Sequence, residues 1–201
     1  MNKDGLLKNI AATGYNVGFG AKKHFATYDI VEKMPGLIGF ISTAFGVYAL
    51  AFDALSHKFL SATFVVLGII ALYISFYDAR KSSYEQAGVK LTTLYNRLRD
   101  LYRQVQSTSE SDLSAYVEKL SELEGAYYAA CISKQILFSD WYAHYKFFWQ
   151  HQIDWVNEQK NFGLLRDKVP LSFAVFVAVA FVGVVAVLLR NIEYSCIRGL
   201  W

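Results

Sequence analysis

Three stretches of this sequence, residues 36–52, 59–77 and 170–189, contain no Asp, Glu, Lys or Arg. A bilayer core of about 30 Å is crossed by roughly 20 helical residues, so each stretch has the length and chemistry of a membrane span. A buried core helix can imitate one such run, but three runs leave too little polar sequence for a soluble fold. The composition agrees, since 54% of residues are hydrophobic against about 45–50% in ordinary soluble domains. The chain has 14 Tyr, 15 Phe and 4 Trp, ring types suited to the headgroup level of a membrane. The net charge of +3 is too small to argue for nucleic acid as a partner. The N-terminus, MNKDGLLKNIAATGYN, lacks the long apolar core and small-residue cleavage site of a secretory signal.

The first stretch follows Pro35, a favourable first-turn residue, and is expected to begin a helix there. Only residues 53–58 separate it from the second, so the two are expected to form a transmembrane hairpin. Lys and Arg near span ends are retained in the cytoplasm. Lys3, Lys8, Lys22, Lys23 and Lys33 precede the first span, and Arg80, Lys81, Lys90, Arg97, Arg99, Arg166 and Lys168 lie between the second and third. The short turn has Lys58 and the tail Arg190 and Arg198. The expected topology is a multi-pass membrane protein with a cytoplasmic N-terminus and central segment and an external tail.

Between the spans, Tyr84, Ala87, Leu91, Leu94, Leu98, Leu101 and Val105 recur at alternating threes and fours, the spacing of a coiled-coil seam. Ser107-x-x-Glu110 fits a capping box, and a second stripe runs through Leu113, Tyr116, Val117, Leu120, Leu123, Tyr127, Ala130, Leu137 and Trp141. Two stripes and a polar turn predict an antiparallel helical hairpin whose second helix runs on toward Trp155. Leu91, Leu94, Leu98, Leu101, Leu120 and Trp141 are the expected seam, read either as a hairpin contact or as a subunit contact in a homo-oligomer. The excess aromatic surface, including Trp141, Tyr142, Tyr145, Phe147, Phe148 and Trp149, marks an interaction surface or a membrane-proximal layer. The full expectation is an all-α membrane protein: an arm over residues 1–34, a transmembrane hairpin over 35–78, a cytoplasmic helical hairpin over 79–168, and a third span with its tail over 169–201.

No enzyme signature is present, and no cofactor or metal site is expected. Gly18-Phe19-Gly20-Ala21-Lys22-Lys23 lacks the spacing of a phosphate loop, and its glycines are read as close-packing or bending positions. His144 and His151, seven apart, lack a third ligand. Glu118, Glu122 and Glu124, with Lys119 among them, read as a solvated helix face, and Cys131 and Cys196 as free buried thiols. In the first span, Ser42, Thr43 and Gly46 are small: they permit close helix contact or line a polar path. Asp53 at the outer end of that span is an interfacial anchor or part of a charged ring around a pore.

The run Tyr15-Asn16-Val17-Gly18-Phe19-Gly20-Ala21-Lys22-Lys23-His24-Phe25, then Asp29-Ile30-Val31-Glu32-Lys33, leading through Pro35-Gly36 into paired spans, resembles the SLATT family. These are SMODS and SLOG-associating two-transmembrane effector domains of prokaryotic conflict systems, and the resemblance is best over about the first 80 residues. It implies an anti-phage effector that permeabilises the inner membrane when a nucleotide second messenger or cognate sensor protein triggers it. It also implies membrane lipid as a partner, with the arm residues Tyr15, Asn16, Gly18, Gly20, Lys22, Lys23 and His24 as candidate signal-sensing positions. The third span departs from the two-span description. The alternative reading is a non-conducting, membrane-anchored scaffold.

Overall fold

The computed structural model describes residues 2–52, 58–109, 112–150, 153–163 and 167–198. Two units are distinguished, residues 1–161 and 162–201.

The first unit is built on α1, Lys3–Ala51, a helix of 49 residues. The Asn2 side chain accepts the Gly5 N–H at 2.9 Å and Asp4 lies in the first turn, both favourable at the positive end of a helix. Contrary to the sequence expectation, no helix starts at Pro35. Proline sits inside α1, where it removes the backbone bond to the Val31 carbonyl without ending the helix. Tertiary packing offsets that loss, because Val31 and Ile38 on either side share a buried cluster with Ile74, Tyr77, Tyr84 and Ile136. The arm and the first apolar stretch are therefore one element.

Helix α2, Lys58–Ser75, passes through a short 3₁₀ turn at Asp78–Arg80 into α3, Lys81–Ser107. Both run antiparallel to α1. The Phe45 and Phe64 rings meet at 5.5 Å, Phe25 lies against Gly88, Gly20 approaches Leu91, Gly18 approaches Tyr95, and Lys3 reaches the end of α3. The Lys3 ammonium donates to the Gln106 and Thr108 carbonyls at 2.8 Å each, a cation on the negative end of α3. The heptad stripe of α3 is buried within the single chain, with Leu91 and Leu98 fully covered and Leu94 and Leu101 at 3% exposure. Its principal partner is α1, not the helix that follows it.

The expected second hairpin helix is divided into three. Helix α4, Ser114–Ala130, contributes Leu120 to the core; residues 131–138 are non-helical; α5, Ser139–Gln150, and α6, Asp154–Lys160, follow. The capping box does not form, since Ser107 is the last residue of α3 and Glu110 lies outside the described residues. Asp112 instead accepts the Ser114 N–H at 3.0 Å.

The polar half of the α1–α3 pair is wrapped by α4, α5 and α6, whereas the apolar half is open. The most apolar windows of α1 and of the α2–α3 run have mean hydropathies of 1.6 and 2.3, and only 6% of each window is buried. A soluble core helix of that hydropathy is covered by its own chain; these present Phe40, Val47, Leu50, Phe59, Val65 and Ile69 outward. Two long, uncovered apolar helices point to a membrane protein.

In the second unit, α7 spans Leu171–Arg198, and its residues 171–183 are all exposed.

Candidate membrane-coupling site

The wrapped and open halves of the first unit meet at residues 131–138, the extended strap between α4 and α5. Five side chains hold its backbone or its Gln135, among them Tyr73 of α2, whose hydroxyl accepts the Leu137 N–H at 3.4 Å. His24 of α1 accepts the Ile132 N–H at 3.0 Å, Thr27 donates to the Gln135 side chain at 2.6 Å, Tyr84 of α3 donates to the Lys134 carbonyl at 2.6 Å, and Tyr77 donates to the Gln135 carbonyl at 3.4 Å. These bonds supply partners that a helix would have given the segment, which is why its apolar residues do not continue α4.

His24 is 3% exposed and fully engaged. Because Nε2 accepts from Ile132, the ring proton resides on Nδ1 and is donated to the Gly20 carbonyl at 2.7 Å. Burial lowers its pKa; the Gly20 bond works the other way and Lys23 adds to the lowering. The neutral ring is thus the form that joins α1 to the strap.

An ionic layer lies below. Asp29 is held by Lys33, at 2.7 Å, and by Lys146 of α5. Burial alone would raise the Asp29 pKa, but the hydrogen bonds from Lys146 and Lys33 outweigh it and hold the carboxyl below its ordinary value. Lys23 pairs with Asp140 at 2.6 Å, and Lys81 with Glu32 at 2.6 Å. Lys22 is half-buried, and desolvation followed by repulsion from Lys146 lowers its pKa.

Beside the strap a groove of about 700 Å³ opens between Ile30 and Met34 of α1, Ile70 and Tyr73 of α2, and Leu137, Trp141 and Tyr142. At the far end of the wrapped half, Trp155 lies across Gly14 and donates to the Tyr95 hydroxyl at 2.9 Å. Burial raises the Tyr95 phenol pKa to about 12.

The arm residues are split by this arrangement. Gly18 is buried under Tyr95 and Phe147, where an added Cβ would stand 2.8 Å and 2.9 Å from ring carbons, and at Gly20 the nearest is Tyr127 at 3.4 Å. Tyr15 packs edge-on to Phe147 at 5.5 Å, while Asn16 is exposed. Lys22, Lys23 and His24 face the α5 and strap side and do not form an open pocket with Asn16. Among the seam residues, Trp141 stands apart: it belongs to α5 and lines the groove, with Phe138 at 4.8 Å.

In the apolar half, Ser42 is half-buried, Thr43 and Gly46 are exposed, and nothing lies within 4 Å of a Cβ placed at Gly46. Thr43 donates to its own helix at the Gly39 carbonyl, 2.8 Å away. Asp53 lies outside the described residues, as does His151. His144 sits between the Phe19 and Phe148 rings at 4.9 Å and 5.5 Å. Glu124 is no solvated face residue but accepts from Thr13 of α1 at 2.7 Å, and Cys131 is free but exposed. No group of three or more potential metal ligands occurs among the described residues.

The strap and its clamps were missed by periodicity, since Ile132, Ile136 and Leu137 keep an apolar pattern going. The available signal was His24, a titratable residue that recurs at helical spacing with Gly20, Ala21 and Thr27.

No curated protein and no solved structure matches this chain significantly. A family model does, over residues 1–177, which takes in α1 to α6 and the start of α7 and extends well past the first 80 residues. The chain belongs to the SLATT_6 family, the SMODS and SLOG-associating 2TM effector domain 6.

Proposed function

We propose that this chain is the membrane effector of a prokaryotic anti-phage system, in which a nucleotide signal or sensor protein acting on the wrapped half makes an oligomer permeabilise the inner membrane. The α1–α2 pair would cross the bilayer as a hairpin, with α7 as a third span and the N-terminus in the cytoplasm. The observation that carries the reading is the continuity of α1, which has one half buried in the wrapped bundle and the other in an uncovered apolar face. Any rearrangement around His24 and the strap is thereby mechanically joined to the apolar half. The seam Leu91–Leu101 is occupied within the chain, so subunit contacts would use other surfaces, the uncovered apolar faces first among them.

The test is expression together with the neighbouring genes, with membrane potential followed by a voltage-sensitive dye before and after phage challenge. Depolarisation that depends on this chain is expected. A second reading, a non-conducting scaffold, draws on Thr43, Thr63 and Ser75, whose hydroxyls are taken up by carbonyls of their own helices rather than presented to a path. Challenge without depolarisation, with partner recruitment intact, would favour it.

A further inference from the structure

The groove beside the strap has features of a lipid site. Its volume of about 700 Å³ falls in the range of small-molecule pockets, and its lining is almost wholly apolar. It opens at the bundle end of the apolar faces, and Ile70 and Tyr73 belong to both, being 42% and 39% exposed. At the rim, Asp29 is the one carboxylate among the lining residues and is engaged by two ammonium groups, Lys33 and Lys146. The Lys33 side chain is 68% exposed. The rim therefore carries an excess of positive charge directly above an apolar slot.

Phe138 supplies an independent observation. Its φ of 66° is a left-handed conformation that bulky residues rarely adopt, yet the residue is 54% exposed. Strain retained to place an aromatic ring outside the chain's own core is explained when something else covers the ring. Tyr145 and Trp149, 52% and 64% exposed, continue along α5 as amphipathic rings of the kind that settle at headgroup level.

We propose that the groove holds one acyl chain of an anionic membrane phospholipid, its headgroup at Lys33 and its tail along Ile70, Met34 and Leu137. The proposal rests on the membrane reading above. It makes the lipid a wedge between α1, α2 and the α5 end of the strap, so that lipid occupancy and strap position are linked.

The test uses the full chain in nanodiscs of equal phosphatidylglycerol and phosphatidylcholine, released for native mass spectrometry. One retained phospholipid per chain is expected, with phosphatidylglycerol favoured about fivefold, the order of effect of one ammonium at an anionic surface. Lys33→Gln should abolish that preference while a lipid is still retained. Ile70→Trp combined with Met34→Trp should fill the slot and lower retention about tenfold or more, whereas Val65→Trp, on the apolar face outside the groove, should leave retention unchanged. Thermal melts of every variant establish that it is folded. A membrane-embedded parent that retains no lipid, equal retention in the filled variant, or a lipid-free particle of doubled mass in which a second copy takes the groove would each overturn the proposal. Release of the parent from membranes by alkaline carbonate would instead overturn the membrane reading.

Discussion

His24 on α1 accepts the backbone N–H of Ile132 through Nε2, a contact between residues 108 apart in sequence. Protonation would place a second N–H at Nε2, facing the Ile132 donor. Burial holds the folded-state pKa below the ordinary 6.5. The unfolded chain then takes up a proton before the folded one does, so stability is complete above about pH 6.5 and is lost as pH falls through the lowered folded value. His144 is shifted the same way, chiefly by its burial. Asp29, held low by its lysines, contributes only at more acid pH. Thermal melts in detergent should therefore fall between pH 7.5 and 5.5, and His24→Gln should be less stable at pH 7.5 by about 1–3 kcal/mol with a shallower pH slope. An unchanged slope in that variant would move the sensitivity to His144.

Gly14 and Gly125 make a matched pair. A Cβ at Gly14 would lie 2.2 Å from a ring carbon of Trp155, which is fixed by its bond to Tyr95. Gly14→Ala should cost about 1–3 kcal/mol by overpacking. Gly125 is an exposed position on α4 with nothing within 4 Å, and Gly125→Ala should stabilise by up to about 1 kcal/mol. Circular dichroism melts of the two variants should move in opposite directions.

Orientation is read by the two cysteines. With the wrapped half in the cytoplasm and the tail outside, an impermeant maleimide should label Cys196 in intact cells and reach Cys131 only after lysis. Each is tested with the other thiol removed. Cys131 is exposed, so access in lysed cells is not blocked, although partial burial raises its thiol pKa and slows the reaction. Labelling of Cys131 in intact cells would invert the topology.

If α1 lines a conduction path with Asp53 at its mouth, Asp53→Asn should lower cation preference without preventing assembly. Gly46→Leu adds a large side chain where the single chain has open space, and it should block current without destabilising the protomer. Bilayer recordings of activated protein give both readouts. Full conductance in Gly46→Leu with unchanged selectivity in Asp53→Asn would place the path elsewhere.

Leucines made α3 legible: its heptad stripe names the residues that are buried. Its partner was hidden because the buried face of α1 mixes Leu6, Ile10 and Val17 with Gly14, Gly18, Ala21, His24 and Thr27, and the small or polar residues break up the hydrophobic signature. Rings from Tyr95, Phe147 and Trp155 fill the space those residues leave, a relation only tertiary structure reveals. Pro35 misled for a local reason, since its chemistry suits a helix start and only the cluster around Val31 and Ile38 keeps it inside one. The groove was invisible because its walls come from three separate regions of the sequence. Trp141 was noticed, but on the wrong helix.

Were α1 to pivot at Pro35, it would transmit turning and tilting differently. At about 1.5 Å per residue, the part of α1 before Pro35 is roughly 48 Å long and the part after it roughly 24 Å. A tilt about that point is thus halved in lateral displacement on its way from the N-terminal end to the membrane end. Rotation about the helix axis arrives undiminished, because every residue turns through the same angle. For such a pivot, a partner acting on the N-terminal half would move Ser42 and Gly46 most effectively by twisting α1.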